Sequence, residues 1–223
     1  MGLDVPLKYK IKLAEVKRDT NPGIFLLHGY GSNEDDLFSF AQHLPNYYTI
    51  VSFRAPISLP WGGFAWYNIT YDNVGINSDK FLNLKEAKES LKLIKESIDN
   101  LISYYKLNPI DTTLMGFSQG SVLTWAMAIN FPKIIRRTIA LSGYISQDVF
   151  EKPIDEVKNL TGFCSHGKND QIIPIESARK SFELISKNNP NIFYKEYDEG
   201  HGINQENFQD LLSWLDTTSL EGK

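Results

Sequence analysis

Cysteine is almost absent from this sequence, which contains a single one, Cys164, among 223 residues. One cysteine excludes an internal disulfide bond and a metal site built from several cysteines. Cys164 follows Gly162 and Phe163 in an apolar stretch, where a cysteine usually packs as a small apolar side chain. We therefore expect a buried thiol in a strand, and no metal site.

Long apolar runs are also missing. No run approaches the roughly 20 residues that cross a bilayer as a helix. Residues 1–10 lack the apolar core of a secretory signal, and Pro6 stands where an N-myristoylation signal requires Ser or Thr. These features predict a cytoplasmic protein without stable membrane insertion.

Positive charge is not concentrated anywhere beyond a short cluster at 133–137. The chain has 23 Lys and Arg against 27 Asp and Glu, a net charge of −4. Nucleic-acid-binding domains instead present a basic patch or stripe, so no nucleic-acid partner is expected. The length is typical of one large α/β domain, and we predict a single domain over residues 1–223.

Apolar segments of strand length alternate with segments of helical period. The predicted strands are 7–13, 24–27, 49–53, 112–115, 138–141, 160–165 and 191–197, and the predicted helices are 34–44, 84–105, 121–129, 176–187 and 204–215. The first strand alternates apolar and polar residues, which is typical of a half-buried edge strand. This alternation predicts an α/β fold with a mostly parallel central sheet and helices on both faces. An irregular connection over about 56–80 and a loose tail over 217–223 complete the prediction.

The pentapeptide Gly116-Phe117-Ser118-Gln119-Gly120 joins a predicted strand to a predicted helix. Gly-x-Ser-x-Gly in that position is the pattern of a nucleophile elbow. Gly116 and Gly120 have no Cβ, so strand and helix can approach closely while Ser118 stands at the apex. Ser118 is therefore a candidate nucleophile, with an ordinary Ser-Gly turn as the alternative.

Asp170 and His201, a carboxylate and an imidazole that could activate a serine, each follow a later predicted strand. In parallel sheets, functional residues collect at the carboxyl ends of the strands. A serine nucleophile needs a base, and the base needs a carboxylate that fixes its tautomer. Ser118, Asp170 and His201 occur in the chain order of α/β-hydrolases.

Alternatives exist for each of these two partners. Asp170 could simply cap an Asn-Asp turn, and Asp198 and Glu199 compete with it as the acid. His201 lies between two glycines, which suits a loop that approaches another group closely. His166, in a similar His-Gly turn, is interpreted as structural.

Ester hydrolysis also needs donors for the tetrahedral oxyanion. The backbone N–H of Gln119, directly after the candidate nucleophile, is one candidate. The glycines around Tyr30 in His28-Gly-Tyr-Gly allow its backbone to bend towards Ser118, which makes the Tyr30 N–H the second. The alternative, a phosphate-binding loop, is weak because no Gly-Lys-Ser/Thr motif follows.

Four aromatic residues crowd the segment 61–67 in the long connection. Long irregular connections in compact domains are usually functional or mobile. We predict that at least one of Trp61, Phe64 and Trp66 contacts the substrate. The alternative is a small core cluster that holds the connection in place.

Taken together, these motifs resemble the phospholipase/carboxylesterase family, the small α/β-hydrolase group that contains acyl-protein thioesterases and bacterial carboxylesterases. The resemblance runs over about residues 20–215. It rests on His28-Gly-Tyr-Gly with Asp35 downstream, on the Ser118 pentapeptide, on His166-Gly-Lys-Asn-Asp170 with Pro174, and on Gly-His201-Gly.

The resemblance implies an α/β-hydrolase fold and a serine esterase that needs no cofactor. It implies Ser118 as nucleophile, Asp170 as acid and His201 as base, with the Tyr30 and Gln119 N–H groups as oxyanion hole. It adds Ile172 and Ile173 as candidate acyl contacts. An aromatic at position 30, where Leu is common, and the distinct stretch 60–80 depart from the family pattern and leave substrate identity open.

The sequence thus predicts a serine carboxylester hydrolase that cleaves short- to medium-chain acyl esters through an acyl-Ser118 intermediate. Within enzymes, an acyl-protein or acyl-CoA thioesterase or a lysophospholipase is the alternative. A binding module that kept the fold but lost turnover is the non-enzymatic alternative. The expected partner is a small-molecule ester or thioester, and a homodimer is possible.

Overall fold

A computed structural model describes residues 4–69, 82–151, 153–154 and 157–220. The strands in this part are β1 (Tyr9–Lys12), β2 (Gly23–Leu27), β3 (Thr49–Phe53), β4 (Ile57–Ser58), β5 (Phe64–Ala65), β6 (Thr112–Phe117), β7 (Arg137–Leu141), β8 (Thr161–Gly167) and β9 (Asn191–Tyr197). The α-helices are α1 (Leu84–Tyr105), α2 (Gln119–Asn130), α3 (Ile175–Ser186) and α4 (Gln205–Thr217).

Seven of these strands form one sheet in the order β1-β3-β2-β6-β7-β8-β9. β1 is an antiparallel edge strand against β3, and the other neighbouring pairs are parallel. β2, β3 and β7 are buried at every residue, because a parallel sheet is covered on both faces. The predicted fold class, a mostly parallel sheet between helices, is confirmed.

Alternate residues of β2 face two separate cores. Phe25 and Leu27 belong to the core under α1, α2 and α3. Ile24 and Leu26 belong to the core under α4 and a short 3-10 helix on the opposite face. This two-residue period follows from the pleat of a strand. Because the strands from β3 to β9 in the sheet order run parallel, their carboxyl ends lie along one edge of the sheet.

Cys164 lies in β8 with its side chain buried, as predicted, and burial raises the pKa of its thiol. Among the described helices, none combines the length and the apolar character needed to cross a membrane. The longest of them, α1, carries a Lys or Glu in almost every turn.

The predicted helix 34–44 is wrong, because the structure has a 3-10 helix only over Leu37–Gln42. The preceding residues form local side-chain contacts instead of a first α-turn. Asn33 accepts a hydrogen bond from the backbone N–H of Asp35 (2.8 Å), and the Glu34 side chain is drawn into an ion pair with Arg54. Asn and Asp side chains compete with helix formation in this way.

The connection after β3 is also more regular than predicted. β4 and β5 form a small antiparallel hairpin whose turn contains Gly62 and Gly63, both with positive φ (99° and 75°). Gly63 also packs against the backbone of Gly31, and a side chain there would overlap the Gly31 carbonyl. Residues 70–80 of the predicted connection lie outside the described residues.

The predicted loose tail is ordered at its start. Thr217 ends α4, the Thr218 carbonyl accepts a hydrogen bond from Arg136 (2.9 Å), and Ser219 is buried. Arg137, which is fully buried, donates to the carbonyl of Leu215 (3.2 Å). These backbone contacts hold the end of the last helix, which composition alone did not indicate.

Candidate active site

Ser118 stands between β6 and α2 in an unusual backbone conformation, with φ of 52° and ψ of −116°. A non-glycine residue in that region costs on the order of 1–3 kcal/mol and persists only where its surroundings enforce it. The flanking glycines do so. A side chain on Gly116 would overlap the Gly120 carbonyl, and one on Gly120 would overlap the Leu27 carbonyl. The pentapeptide therefore folds as the tight strand-to-helix turn that the sequence predicted.

His201 lies between Ser118 and Asp170. Its Nε2 is 2.9 Å from Ser118 Oγ, and its Nδ1 is 2.7 Å from Asp170 Oδ2. An ionised carboxylate only accepts hydrogen bonds, so Nδ1 carries the proton and Nε2 is left to accept from the serine hydroxyl. The structure thus brings together the three side chains that the chain order selected, in the tautomer that a general base requires.

The carboxylate of Asp170 is buried and held from several directions. Its Oδ1 accepts hydrogen bonds from the backbone N–H groups of Ile172 (2.8 Å) and Ile173 (2.9 Å). The competing acids are engaged elsewhere. Asp198 accepts from the Asn169 side chain (3.0 Å), and Glu199 accepts from the N–H of Gly200 (2.9 Å). Of the three candidate acids, Asp170 is the one that contacts His201.

His166 contacts the same carboxylate, a relationship that the sequence prediction missed. Its fully buried Nε2 lies 2.8 Å from the Ile173 carbonyl and 3.2 Å from Asp170 Oδ2. Both partners are acceptors, so Nε2 carries a proton. Burial lowers the pKa of His166, in keeping with the neutral form. The four-residue spacing between His166, near the end of β8, and Asp170, in the loop that follows, was the available signal.

The glycines around His201 do not mark a close approach. A Cβ on Gly200 would meet open space, and one on Gly202 would make ordinary contacts with Glu199. The tight packing occurs one strand away, where a side chain on Gly167 would overlap the Gly200 carbonyl. The glycine that this loop requires is therefore Gly167, the last residue of β8.

The two predicted oxyanion donors lie on segments that meet beside Ser118. Gln119 is the first residue of α2, where backbone N–H groups have no partner within the helix and the helix dipole favours negative charge. On the other side, a Cβ on Gly29 would lie 3.4 Å from the Cβ of Ser118, so the Gly29–Tyr30 segment passes directly beside the serine.

Trp66 was predicted as a candidate substrate contact, and the structure contradicts this. Its side chain is fully buried in the core, so no part of its surface is available to a substrate. Its indole Nε1 donates to the His28 carbonyl (2.9 Å). Trp66 therefore fits the alternative, a residue that holds the connection in place.

The other predicted substrate contacts remain accessible. Trp61, in the turn of the β4–β5 hairpin, and Ile172 are each 71% exposed. Phe64 and Ile173 are half-buried. Phe64 exchanges backbone hydrogen bonds with Gly31 and Ser32 (2.9 and 2.8 Å), which attaches the hairpin to the loop that contains Tyr30.

Comparison with known proteins places this arrangement in a family. The sequence pattern of the Phospholipase/Carboxylesterase family matches residues 11–219. An acyl-protein thioesterase 1 from Kluyveromyces lactis is 34% identical over 161 residues, which cover 68% of this chain and 67% of the relative. A probable SOBER1-like carboxylesterase from Arabidopsis thaliana is 28% identical over 72% of this chain and 62% of its own length. These two alignments thus span only about two thirds of the relatives.

Solved structures agree on the fold over nearly the whole chain. The crystal structure of esterase PE8 superposes with a TM-score of 0.81 at 22% identity, and it covers 96% of this chain and 99% of its own. The family match over residues 11–219 includes the Ser118 turn, the Asp170 loop and the His201 loop. The chain therefore belongs to the phospholipase/carboxylesterase family and has the α/β-hydrolase fold.

Proposed function

We propose that this chain is a serine carboxylester hydrolase that works through an acyl-Ser118 intermediate. The observation that carries the proposal is the continuous hydrogen-bonded series from Ser118 Oγ through His201 to Asp170, at 2.9 and 2.7 Å. A hydroxyl is a weak nucleophile, and a base within hydrogen-bond distance that is itself oriented by a carboxylate is the arrangement that activates it.

The reaction follows from the tautomer of His201. Ser118 Oγ attacks the ester carbonyl carbon while its proton passes to His201 Nε2. The resulting oxyanion accepts hydrogen bonds from the N–H groups of Tyr30 and Gln119. When the carbon–oxygen bond of the ester breaks, His201 returns the proton to the leaving alcohol. Water then attacks the acyl-Ser118 ester by the same route, and the carboxylic acid is released.

Asp170 stabilises the imidazolium that forms in both steps. Its Oδ2 faces His201 Nδ1, and the backbone N–H groups of Ile172 and Ile173 keep the carboxylate in this orientation. Acid, base and nucleophile all lie at the carboxyl edge of one sheet, which supports a single domain with a complete site.

The expected substrates are short- to medium-chain acyl esters. The exposed Trp61 and Ile172 and the half-buried Phe64 supply apolar surface near the loops of the site. Within the described ranges, no cluster of three or more His, Cys, Asp and Glu residues is arranged to hold a metal ion. Neither step of the proposed reaction requires a cofactor.

The test is covalent labelling. A fluorophosphonate probe should label the wild-type protein and fail to label Ser118→Ala, while Ser121→Ala, which alters a neighbouring serine in α2, should still be labelled. Turnover of p-nitrophenyl butyrate should disappear in Ser118→Ala and His201→Ala. Labelling that persists in Ser118→Ala would contradict the assignment of the nucleophile.

A thioesterase is the second candidate, and it is favoured by the similarity to the acyl-protein thioesterase 1 of Kluyveromyces lactis. Oxygen esters and thioesters pass through the same acyl-serine intermediate, so the geometry of the site serves both. A panel of acyl chains offered as p-nitrophenyl esters and as coenzyme A thioesters separates the two. A strong preference for long-chain thioesters would make the thioesterase the first candidate and the carboxylester hydrolase the second. Cytoplasmic location and a homodimer stay predictions.

A further inference from the structure

His28 and Trp66 are both fully buried beside the proposed oxyanion hole, and neither has a place in the reaction described above. The His28 ring makes two hydrogen bonds. Its Nε2 lies 3.0 Å from the backbone N of Ala55, and its Nδ1 lies 2.7 Å from the Gly29 carbonyl oxygen. The N–H of Ala55 is a donor, so Nε2 accepts and Nδ1 carries the proton. Burial lowers the pKa of His28, in keeping with a neutral ring.

The bond from His28 to Gly29 acts on a single peptide unit. The carbonyl of Gly29 and the N–H of Tyr30 belong to the same planar peptide, and in a trans peptide they point in opposite directions. A donor that fixes the carbonyl therefore fixes the direction of the N–H. That N–H is the proposed oxyanion donor.

Trp66 holds the preceding peptide and connects it to the second donor. Its indole Nε1 donates to the His28 carbonyl (2.9 Å), and its backbone N–H donates to Oε1 of Gln119 (2.8 Å). The Gln119 side-chain amide in turn donates to the Tyr67 carbonyl (2.7 Å). Trp66 thus contacts both segments that supply the oxyanion hole.

His28 and Trp66 contact backbone that lies beyond the end of β2. β2 ends at Leu27, so residues 28–30 lie beyond its ladder of interstrand hydrogen bonds. Catalysis by oxyanion stabilisation depends on donors that are aimed before the reaction begins. The hydrogen bonds that His28 and Trp66 donate to the carbonyls of Gly29 and His28 hold this stretch of backbone in one orientation.

We infer that Trp66 and His28 are positioning residues that aim the two oxyanion donors, Trp66 by tying the Tyr30 segment to Gln119 and His28 by orienting the Gly29–Tyr30 peptide. This inference rests on the proposed function. Neither side chain touches the substrate. Both act through the backbone groups that do.

The main experiment uses Trp66→Phe, which keeps an aromatic ring and removes the indole N–H. Fluorophosphonate titration first counts the reactive Ser118 sites. The kcat per titrated site on p-nitrophenyl butyrate should then fall roughly 10- to 100-fold with KM nearly unchanged, since the loss of one oxyanion donor costs about 10²- to 10³-fold and a misaimed donor costs part of that. Trp214→Phe, at a buried tryptophan in α4, is the matched control and should leave kcat per site unchanged.

A second readout is specific to the oxyanion. An alkyl trifluoromethyl ketone forms a hemiketal with the nucleophilic serine, and its oxyanion occupies the same hole. Transition-state analogues follow kcat/KM rather than substrate binding. The inhibition constant should therefore rise by about the same factor by which kcat/KM falls. A residue that merely stabilises the fold would lower the number of titratable sites and leave kcat per site and the inhibition constant as they are, and that result would overturn the inference.

A pair of variants at His28 keeps the inference testable if Trp66→Phe does not fold. His28→Asn retains an N–H near the position of Nδ1, and His28→Leu removes it. The inference expects kcat per site to be largely retained in His28→Asn and to fall in His28→Leu, and equal values would overturn it. Failure of the proposed function would be visible separately, as a wild-type protein that the probe does not label at Ser118.

Discussion

His166 and His201 meet the same oxygen of Asp170. Nε2 of His166 lies 3.2 Å from Oδ2, and Nδ1 of His201 lies 2.7 Å from it. The two backbone N–H groups on Oδ1 complete a carboxylate surrounded by donors. A buried charge is tolerated only when it is fully hydrogen-bonded in this way.

Removal of the His166 donor should therefore weaken catalysis. The His166 Nε2–H donates to the Ile173 carbonyl (2.8 Å), and the same nitrogen lies 3.2 Å from Asp170 Oδ2. Loss of a buried donor costs about 1–3 kcal/mol, and 1.4 kcal/mol corresponds to a factor of ten. We expect His166→Leu to lower kcat per titrated Ser118 roughly tenfold or more. His166→Gln, whose Nε2 can take the place of the imidazole Nε2, is the matched control and should retain most activity. Similar kcat values for the two variants would show that the contact with Asp170 does not matter for turnover.

Gly120→Ala should destabilise the fold, because the added methyl group would overlap the Leu27 carbonyl at the point where β2 and α2 meet. Overpacking of this kind typically costs about 1–3 kcal/mol. Urea unfolding followed by circular dichroism measures the loss. Gly200→Ala, where a Cβ would meet open space, is the control for the glycine-to-alanine change and should shift the midpoint little. Equal midpoints for the two variants would contradict the packing argument.

The fold and the family were accessible from the sequence because they follow from patterns with a fixed period and a fixed order. Continuous apolar runs predicted the strands that are covered on both faces. The chain order predicted that Ser118, Asp170 and His201 meet, and their side chains do lie within hydrogen-bond distance. Their catalytic roles stay a prediction.

The features that the sequence did not reveal depend on contacts between distant segments. Trp66 belongs to an aromatic cluster that predicted a substrate contact, but its indole N–H donates a hydrogen bond to the His28 carbonyl in the core. The tail is held by Arg136 and Arg137, some 80 residues away in sequence. Hydrophobic periodicity describes only neighbouring residues, so it carries no information about hydrogen bonds between residues that are far apart in the sequence.

Trp61→Ala should change chain-length preference. The side chain is 71% exposed in the turn of the hairpin that joins the Tyr30 loop, so the folded protein loses little when it is removed. Each methylene that a ligand buries contributes about 0.8 kcal/mol, and a lost apolar wall should cost longer chains more. We expect kcat/KM for p-nitrophenyl hexanoate to fall several-fold more than for the acetate, with Ile172→Ala acting in the same direction.

Ile110→Ala is the matched control for this panel. Ile110 is as exposed as Trp61, at 70%, but it precedes β6 and so lies at the opposite edge of the sheet from Ser118. Its variant should leave the chain-length profile unchanged. A profile that Trp61→Ala and Ile172→Ala also leave unchanged would remove both residues from the proposed substrate surface.

The two buried histidines should make the protein less stable in mild acid. Burial lowers the pKa of both His28 and His166 from the usual 6.5, so below that pH the unfolded chain binds protons that the folded chain does not. The free energy of unfolding should then fall as the pH drops below 6.5, by up to about 1.4 kcal/mol per pH unit for each histidine that stays neutral. Urea unfolding at pH 7.5, 6.5, 5.5 and 5.0 measures this slope.

One variant at a buried histidine and one at an exposed histidine show which residues cause the dependence of the unfolding free energy on pH. His166→Gln removes one of the two groups and should reduce the slope between pH 6.5 and 5 by about half, whereas His43→Gln, at an exposed position, should leave the contribution of the buried pair in place. The carboxyl groups whose pKa is lowered by ion pairs, such as Glu34 beside Arg54, lose their contribution only as the pH falls below their usual 4.5. An unfolding free energy that is flat from pH 6.5 to 5 would mean that the buried rings take up protons in the folded state, contrary to the lowered pKa of His28 and His166.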